Sequence, residues 1–352
     1  MQNKYQVIAY LKDKDKWGKK DIDASKLTCI NYSFAKVEDC KAVENFTKID
    51  LLKEIKEENP HLRTCLSIGG WTADGFSDAV LTKENRKIFI DSIYEIIDKY
   101  DFDGVDLDWE YPGLDDAGIV ARKEDNENFL LLVKELREYL DKKGPKANKE
   151  FWITAAIGAS DRVIDTMLTK NGAEYTKYLD YVHIMTYDMR NGYKTGHHAN
   201  LYTYENSERL TSADRSVKRL IDQGVPNEKI VIGGAFYSRV WEGVTSSESP
   251  LNADSKNPGL KVVDYNLLEE FKNEHNLIYY WDDEAKAPYL YNGEIFVSYD
   301  DEKSLSEKVK YVKENKLGGI MFWEYSLDLS LKLLSAIYDD INSRYGDTNI
   351  CR

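Results

Sequence analysis

Two kinds of apolar pattern alternate along the chain. Short runs rich in β-branched residues recur, and between them lie longer stretches whose apolar positions return every three or four residues. The first kind predicts buried strands and the second amphipathic helices. Strands are predicted over 6–10, 27–34, 63–68, 104–110, 151–157, 181–187, 229–236 and 319–323. Helices are predicted over 51–58, 84–99, 126–142, 161–168 with 173–178, 213–223, 305–315 and near 329–341. In the second helix, Ile88, Phe89, Ile93, Ile96 and Ile97 are expected on one face. Eight strand–helix alternations predict an α/β fold, a (β/α)8 TIM barrel, with a doubly wound open sheet as the main alternative. The rhythm breaks between the seventh and eighth strands. Residues 241–297 carry β-like pieces at 277–281 and 288–291 around one helix near 265–273. The expected organisation is a barrel over 1–240 and 298–352 with a small α+β insertion domain at 241–297. An insertion in this βα loop stands on the C-terminal face and can wall a cleft.

Composition narrows the function. Of 352 residues, 42% are hydrophobic and 31% charged, enough apolar material for a full core. No apolar run approaches the roughly 18 residues of a membrane span, so a soluble chain is expected. The net charge of −14 opposes phosphate polymers and anionic lipid; neither nucleic acid nor membrane is expected as a partner. The 25 Tyr, 11 Phe and 7 Trp hint at a neutral ligand such as a sugar, since flat rings beside polar groups suit its faces. Cys29, Cys40, Cys65 and Cys351 have no CxxC spacing and no His cluster, which argues against zinc. The N-terminus runs directly into the first strand without a basic-then-apolar signal region, so the protein is expected to be cytosolic or to have lost a leader.

The fourth strand carries the chemistry. It reads Asp103-Gly104-Val105-Asp106-Leu107-Asp108-Trp109-Glu110. Alternation places Asp106, Asp108 and Glu110 on one face, toward the barrel interior and its C-terminal mouth, and Val105, Leu107 and Trp109 on the other. A single buried Asp is commonly a paired core residue. Three in register are different, because like charges so close cannot all ionise cheaply. Asp106 and Asp108 are expected to share a proton, with Glu110 raised toward neutrality as a general acid. Clustered carboxylates also suit Mg²⁺ or Ca²⁺. The neighbouring strand ends, however, present Ser67, Met185, Tyr187 and Trp323, poor ligands for a hard cation, so hydrolysis without metal or cofactor is preferred.

These residues resemble glycoside hydrolase family 18, the chitinase-like barrels. Residues 103–110 match its DGxDxDxE signature and are followed by Tyr111-Pro112. Ser67-Ile68-Gly69-Gly70-Trp71 is similar to the SxGG motif, Met185-Thr186-Tyr187-Asp188 ends the sixth strand, Tyr237-Ser238-Arg239 stands where YGR is common, and Trp323 ends the eighth. The resemblance implies a retaining mechanism without a protein nucleophile. Glu110 would protonate the scissile oxygen, and the substrate's own acetamido oxygen would attack to form an oxazolinium ion. Asp108 would bind the acetamido N–H, Asp106 would hold or exchange the shared proton, and Tyr187 would orient the acetamido carbonyl. Tyr10, Phe34, Trp71, Tyr111, Met185, Asp188, Tyr237, Arg239 and Trp323 would line the substrate, with Trp323 as the floor and Trp241 a weaker candidate. His183 shares the strand parity of Met185 and Tyr187 but lies deeper, and is expected to be a satisfied core histidine.

The resemblance also implies cis peptides at Ser33-Phe34, Glu110-Tyr111 and Trp323-Glu324. Ser238 departs from the common glycine and could alter that wall. The implied substrate is chitin or a chitooligosaccharide and the implied activity that of a chitinase, secreted and expected to be monomeric. An endo-β-N-acetylglucosaminidase acting on N-glycan cores and an inactive chitooligosaccharide-binding lectin are the alternatives.

Overall fold

The computed structural model describes residues 4–205, 207, 209–245 and 249–343; Cys351 lies outside them. Strands β1 (Gln6–Lys12), β2 (Cys29–Glu38), β3 (Lys41–Val43), β4 (Arg63–Gly69), β5 (Gly104–Asp108), β6 (Trp152–Gly158), β7 (Tyr181–Met185) and β8 (Ile230–Ala235) lead into five shorter strands. These are β9 (Tyr237–Glu242), β10 (Lys261–Asp264), β11 (Ile278–Asp282), β12 (Ala287–Tyr291) and β13 (Ile295–Ser298), before β14 (Gly319–Trp323) returns to the first sheet. That sheet runs β1-β14-β8-β7-β6-β5-β4-β2, and β1 also pairs with β2. All eight of these strands are parallel, so the sheet closes on itself and the open-sheet alternative falls. β3 is an antiparallel hairpin arm on β2.

Outside the barrel lie α1 (Ile49–Glu58), α2 (Phe76–Leu81), α3 (Lys83–Tyr100), α4 (Asp125–Ala147), α5 (Asp161–Thr166) and α6 (Ala213–Asp222). The second sheet carries α7 (Tyr265–Glu274), and α8 (Glu302–Glu314) and α9 (Lys332–Asn342) complete the ring. Helix α3 shows how local sequence sets such an element. The Thr82 hydroxyl accepts the Asn85 N–H at 3.1 Å, capping the start, and Asp101 ends the helix in the left-handed region at φ 59°. Phe89, Ile90, Ile93, Ile96 and Ile97 are buried, whereas Ile88 faces solvent. Ile90 takes the place expected of Ile88, since at 100° per residue position 88 falls off the stripe.

The outward face of β5 packs as alternation requires. Val105, Leu107 and Trp109 are buried in the layer between barrel and helices. The Trp109 ring stacks on Phe76 of α2 at 5.3 Å and meets Phe129 of α4 edge-on at 6.2 Å.

The second sheet is antiparallel, in the order β10-β9-β13-β12-β11. β9 begins only two residues after β8 ends, so Tyr237 and Arg239 belong to this sheet rather than to the end of a barrel strand. A buried ion pair helps fix its return to the barrel. Lys308 of α8 meets Asp300 at 2.5 Å, and Asp300 also accepts from Ala235 N (2.9 Å) and Ser304 Oγ (2.7 Å). Removing one partner leaves a buried charge alone. Lys308→Met is therefore expected to lower stability by about 3–5 kcal/mol in urea titration, and adding Asp300→Asn should recover part of that loss.

Among the described residues no helix is long and apolar enough to cross a membrane.

Candidate active site

Register brings polar side chains from several strands into one layer inside the barrel: Tyr10 lies beside Asn31, Ser67 beside Asp106, and Asp106 beside Thr154. The Asp106 carboxylate is fully buried at their centre. Its Oδ2 accepts from Tyr10 Oη (3.0 Å) and Ser67 Oγ (2.7 Å), and its Oδ1 from Thr154 Oγ1 (2.6 Å). Nδ1 of His183 lies 3.3 Å from the same Oδ1. Burial alone would raise this carboxyl, but the bonds from His183, Thr154 and Ser67 hold it below the usual range.

Asp108 is the opposite case. Burial, then the charges of Glu110 and Asp106, push it well up, and its Oδ1 is buried without a hydrogen-bond partner. Glu110 is pushed up to about 7 by burial, with Asp188 adding to the rise and a hydrogen bond from Tyr111 opposing it. Strand geometry ends at Asp108, and Glu110 stands just beyond it. The expected coupling thus falls on Asp108 and Glu110, while Asp106 stays ionised because its donors are many and fixed.

The third strand end makes this row possible. Gly69 and Gly70 have φ of +115° and +86°. A side chain on Gly69 would strike the Asp108 carbonyl at 2.1 Å, and one on Gly70 would strike the Phe34 ring. The backbone therefore lies directly against Asp108, and Gly70 N donates to the Asp108 carbonyl at 2.9 Å.

An aromatic floor lies alongside. Phe34 stacks on Trp323 at 5.6 Å, and Tyr10 meets Trp323 at 5.7 Å. The peptides Ser33-Phe34, Glu110-Tyr111 and Trp323-Glu324 are all cis, as the resemblance implied. Trp71 is 55% exposed at the rim, free to present its face to a ligand. Met185 and Tyr187 are buried with Tyr10 and Tyr237 in one cluster, which Tyr111 and Trp323 border. Gly233 clears the space for Tyr187, since a side chain there would meet its ring at 2.8 Å. The Tyr187 phenol is raised by burial, then by the charges of Asp108 and Glu110, so it keeps its proton as a donor.

On the far wall Arg239 grips Asp188 with two bonds of 2.6 Å, Nε to Oδ1 and Nη2 to Oδ2. The surrounding protein alone would raise the Asp188 carboxyl, but His198 and Arg239 hold it far below the usual range. Ser238 leaves this clamp intact: it turns into the second sheet and donates to the Val263 carbonyl at 3.0 Å.

Three sequence expectations fail. Tyr10 is 1% exposed, donates its hydroxyl to Asp106 and backs the Trp323 ring, so it supports the floor rather than lining the substrate. Trp241 is 0% exposed, packs on Phe296 and donates its Nε1–H to the Gly192 carbonyl, so it belongs to the core of the inserted sheet. His183 is buried but not merely satisfied: Nδ1 faces Asp106, and Nε2 has no partner. Thr154, Asn31, His198 and Lys36 were missed. Strand parity alone could have found Thr154 and Asn31. Lys36 lies over the Phe34 ring at 5.4 Å and donates to the Gly69 carbonyl at 3.0 Å, which no local pattern announces. Among the described residues no group of three or more His, Cys, Asp or Glu is placed to hold a metal ion.

Known proteins are similar to this chain in sequence and fold. Chitinase A1 of Niallia circulans is 36% identical over 317 residues, covering 83% of this chain and 44% of that protein. A chitinase of Autographa californica nuclear polyhedrosis virus is 35% identical over 81% of this chain and 54% of its own length. This chain thus spans about half the length of these curated relatives. Among solved structures, a glycoside hydrolase family 18 N-acetylglucosaminidase from Paenibacillus barengoltzii is 42% identical, with a TM-score of 0.90 and coverage of 96% of this chain and 99% of that one. Since the family's sequence pattern runs from residue 6 to residue 328, nearly the whole length of the closed barrel, this chain belongs to the glycosyl hydrolases of family 18.

Proposed function

We propose that the chain hydrolyses β-1,4-linked N-acetylglucosamine chains with retention of configuration, using the substrate's acetamido group as nucleophile. The observation that carries this reading is the layout of the acidic row: Asp106 buried below among its donors Tyr10, Ser67 and Thr154, Asp108 above it with Oδ1 unpartnered, and Glu110 just beyond the strand end, where burial raises it to about 7. An ordinary retaining glycosidase sets its nucleophile and acid about 5–5.5 Å apart on either side of the bond. Here all three carboxyls come from one strand end, which leaves the far side of the sugar to its own carbonyl oxygen.

In the first step Glu110 gives its proton to the leaving oxygen. The acetamido oxygen attacks the anomeric carbon as the protonated leaving oxygen departs, forming the oxazolinium ion, and Asp108, ionised while Glu110 holds the proton of the coupled pair, accepts a hydrogen bond from the acetamido N–H and offsets the positive charge. Tyr187 donates to the acetamido carbonyl. Water then opens the ring, passing a proton back to Glu110. Phe34 and Trp323 hold the sugar at the cleavage point, with Tyr10 backing Trp323 from the barrel interior; Trp71, Tyr111, Met185, Tyr237 and the Asp188–Arg239 clamp bound the neighbouring units.

Action on a polymer too large to cross a membrane supports a site of action outside the cytoplasm. The likeness to an N-acetylglucosaminidase supports a second reading, release of single N-acetylglucosamine units from chain ends. A time course on N-acetylglucosamine hexamer with anomer analysis tests both. Early dimers to tetramers indicate internal or processive cutting, and monomer as first product indicates end release. In either case the new reducing end is expected as the β-anomer; an α-anomer would refute retention.

A further inference from the structure

Beyond Glu110 the chain runs through residues 111–124 to α4 without helix or strand, and of these residues only Pro112 and Ile119 are buried. Segments of this kind are ordinarily among the most mobile of a fold. This one starts with Tyr111, beside the proposed acid, so its first residues need a fixed support. Tyr111-Pro112-Gly113-Leu114 closes a tight turn: Leu114 N donates to the Tyr111 carbonyl at 3.0 Å, and Gly113 has φ 75°. Proline followed by a glycine of positive φ is the pattern of a type II turn, in which the glycine N–H takes no part in the closing bond.

That N–H finds its acceptor in Asp125, the first residue of α4. The Asp125 carboxylate is fully buried. Its Oδ2 accepts from Gly113 N at 3.2 Å and from Arg122 N at 2.7 Å, and its Oδ1 accepts from Ser77 Oγ of α2 at 2.7 Å. An acid in the first turn of a helix usually serves the helix's own free N–H groups or its dipole. Asp125 turns backward instead and binds both ends of the loop that precedes it. The Arg122 side chain completes the cluster, donating to Ser77 Oγ at 2.7 Å and to Asp78 Oδ1 at 2.6 Å. A second tie reaches the neighbouring loop, which carries Trp71: Asp74 Oδ1 accepts from Gly75 N at 2.7 Å and from Val120 N at 3.0 Å.

We propose that Asp125 is a positioning residue for the rim of the cleft: it anchors the turn after Glu110 to α2 and so sets where Tyr111 stands relative to Glu110 and Trp71. It acts through the Gly113 amide, two residues beyond Tyr111, rather than by contact with a substrate. The anchor point is itself fixed to the strand that carries the acid, because Ser77 follows Phe76, whose ring stacks on Trp109.

Only the kinetic measurements rest on the proposed function. Wild type is compared with Asp125→Asn and Asp125→Leu on N-acetylglucosamine oligomers, the leucine change being made also in a Tyr111→Ala background, and amide hydrogen exchange is followed at Gly113 and Arg122. Asparagine keeps an oxygen for the two loop N–H groups and can offer its amide to Ser77 Oγ, whereas leucine offers neither. In the leucine variant KM should rise about tenfold with kcat changed less than about threefold, the mark of lost binding rather than lost chemistry, and asparagine should stay within about threefold of the wild-type KM. Once Tyr111 is alanine, the leucine change should raise KM by less than about twofold more, because residues that act through one another are not additive. In wild type the Gly113 and Arg122 amides should exchange about 100-fold more slowly than unbonded loop amides, and the leucine change should abolish that protection.

A leucine variant with the wild-type KM overturns the proposal. So does a leucine penalty that is undiminished in the Tyr111→Ala background, or an asparagine variant impaired as deeply as leucine. Wild-type Gly113 and Arg122 amides that exchange as fast as unbonded ones overturn it too, and that result is read whether or not the leucine variant folds. If wild type does not cleave the oligomers, the proposed function fails, and the exchange rates still decide whether Asp125 holds the Tyr111 turn.

Discussion

Glu110→Gln is expected to lower kcat on N-acetylglucosamine oligomers by about 10²–10⁴-fold, the usual contribution of a positioned general acid, with KM changed far less. Glutamine keeps the size and the hydrogen bond to Tyr111 but carries no transferable proton. The pH profile gives the same assignment a second edge. Burial raises Glu110 to about 7, so the acid is loaded below that pH and empties above it. Wild-type kcat/KM should therefore hold through mildly acidic pH and fall about tenfold per unit once pH exceeds 7, and the residual activity of the variant should lose that limb. Undiminished turnover by the variant would remove Glu110 from the mechanism. Product formation by wild type separates an enzyme from a binding protein of the same fold.

Fully deacetylated oligomers are expected to be cleaved about 10⁴-fold more slowly or worse, because the missing carbonyl oxygen is the nucleophile, and well-oriented internal nucleophiles reach effective molarities of 10⁵ M or more. Neither Asp106 nor Asp188 can replace it. Asp106 is held in the barrel by its fixed donors, and Asp188 is held by Arg239 on the far wall. Glucosamine and N-acetylglucosamine hexamers assayed side by side check this, and a thiazoline analogue of the cyclic intermediate should inhibit. Equal rates on the two substrates would exclude neighbouring-group participation.

The charge pattern of the site divides between what is local and what is not. Alternation along residues 104–110 separates Val105, Leu107 and Trp109 from the acids, and the packing follows it because strand parity is a property of the backbone. The same rule could have found Thr154 and Asn31. It could not assign the protons, since Asp106 and Asp108 are two residues apart on one strand and yet move in opposite directions. Their environments differ by donors drawn from β1, β4, β6 and β7, which no stretch of sequence displays together. Trp241 looked like a cleft residue by position and proved to be core, because β9 turns away into the second sheet.

From the sequence alone came the eight-fold strand and helix alternation, the inserted segment and the line of acids, all of which depend on periods of two or about four residues, whereas the aromatic companions came from the resemblance of short motifs to a known family. The closure of β1 on β2, the Asp188–Arg239 clamp, the contact of His183 with Asp106 and the placing of Lys36 over Phe34 depend on residues far apart in the chain. Only the folded barrel brings those groups within a few ångströms, where charge and hydrogen bonding decide which acid carries the proton.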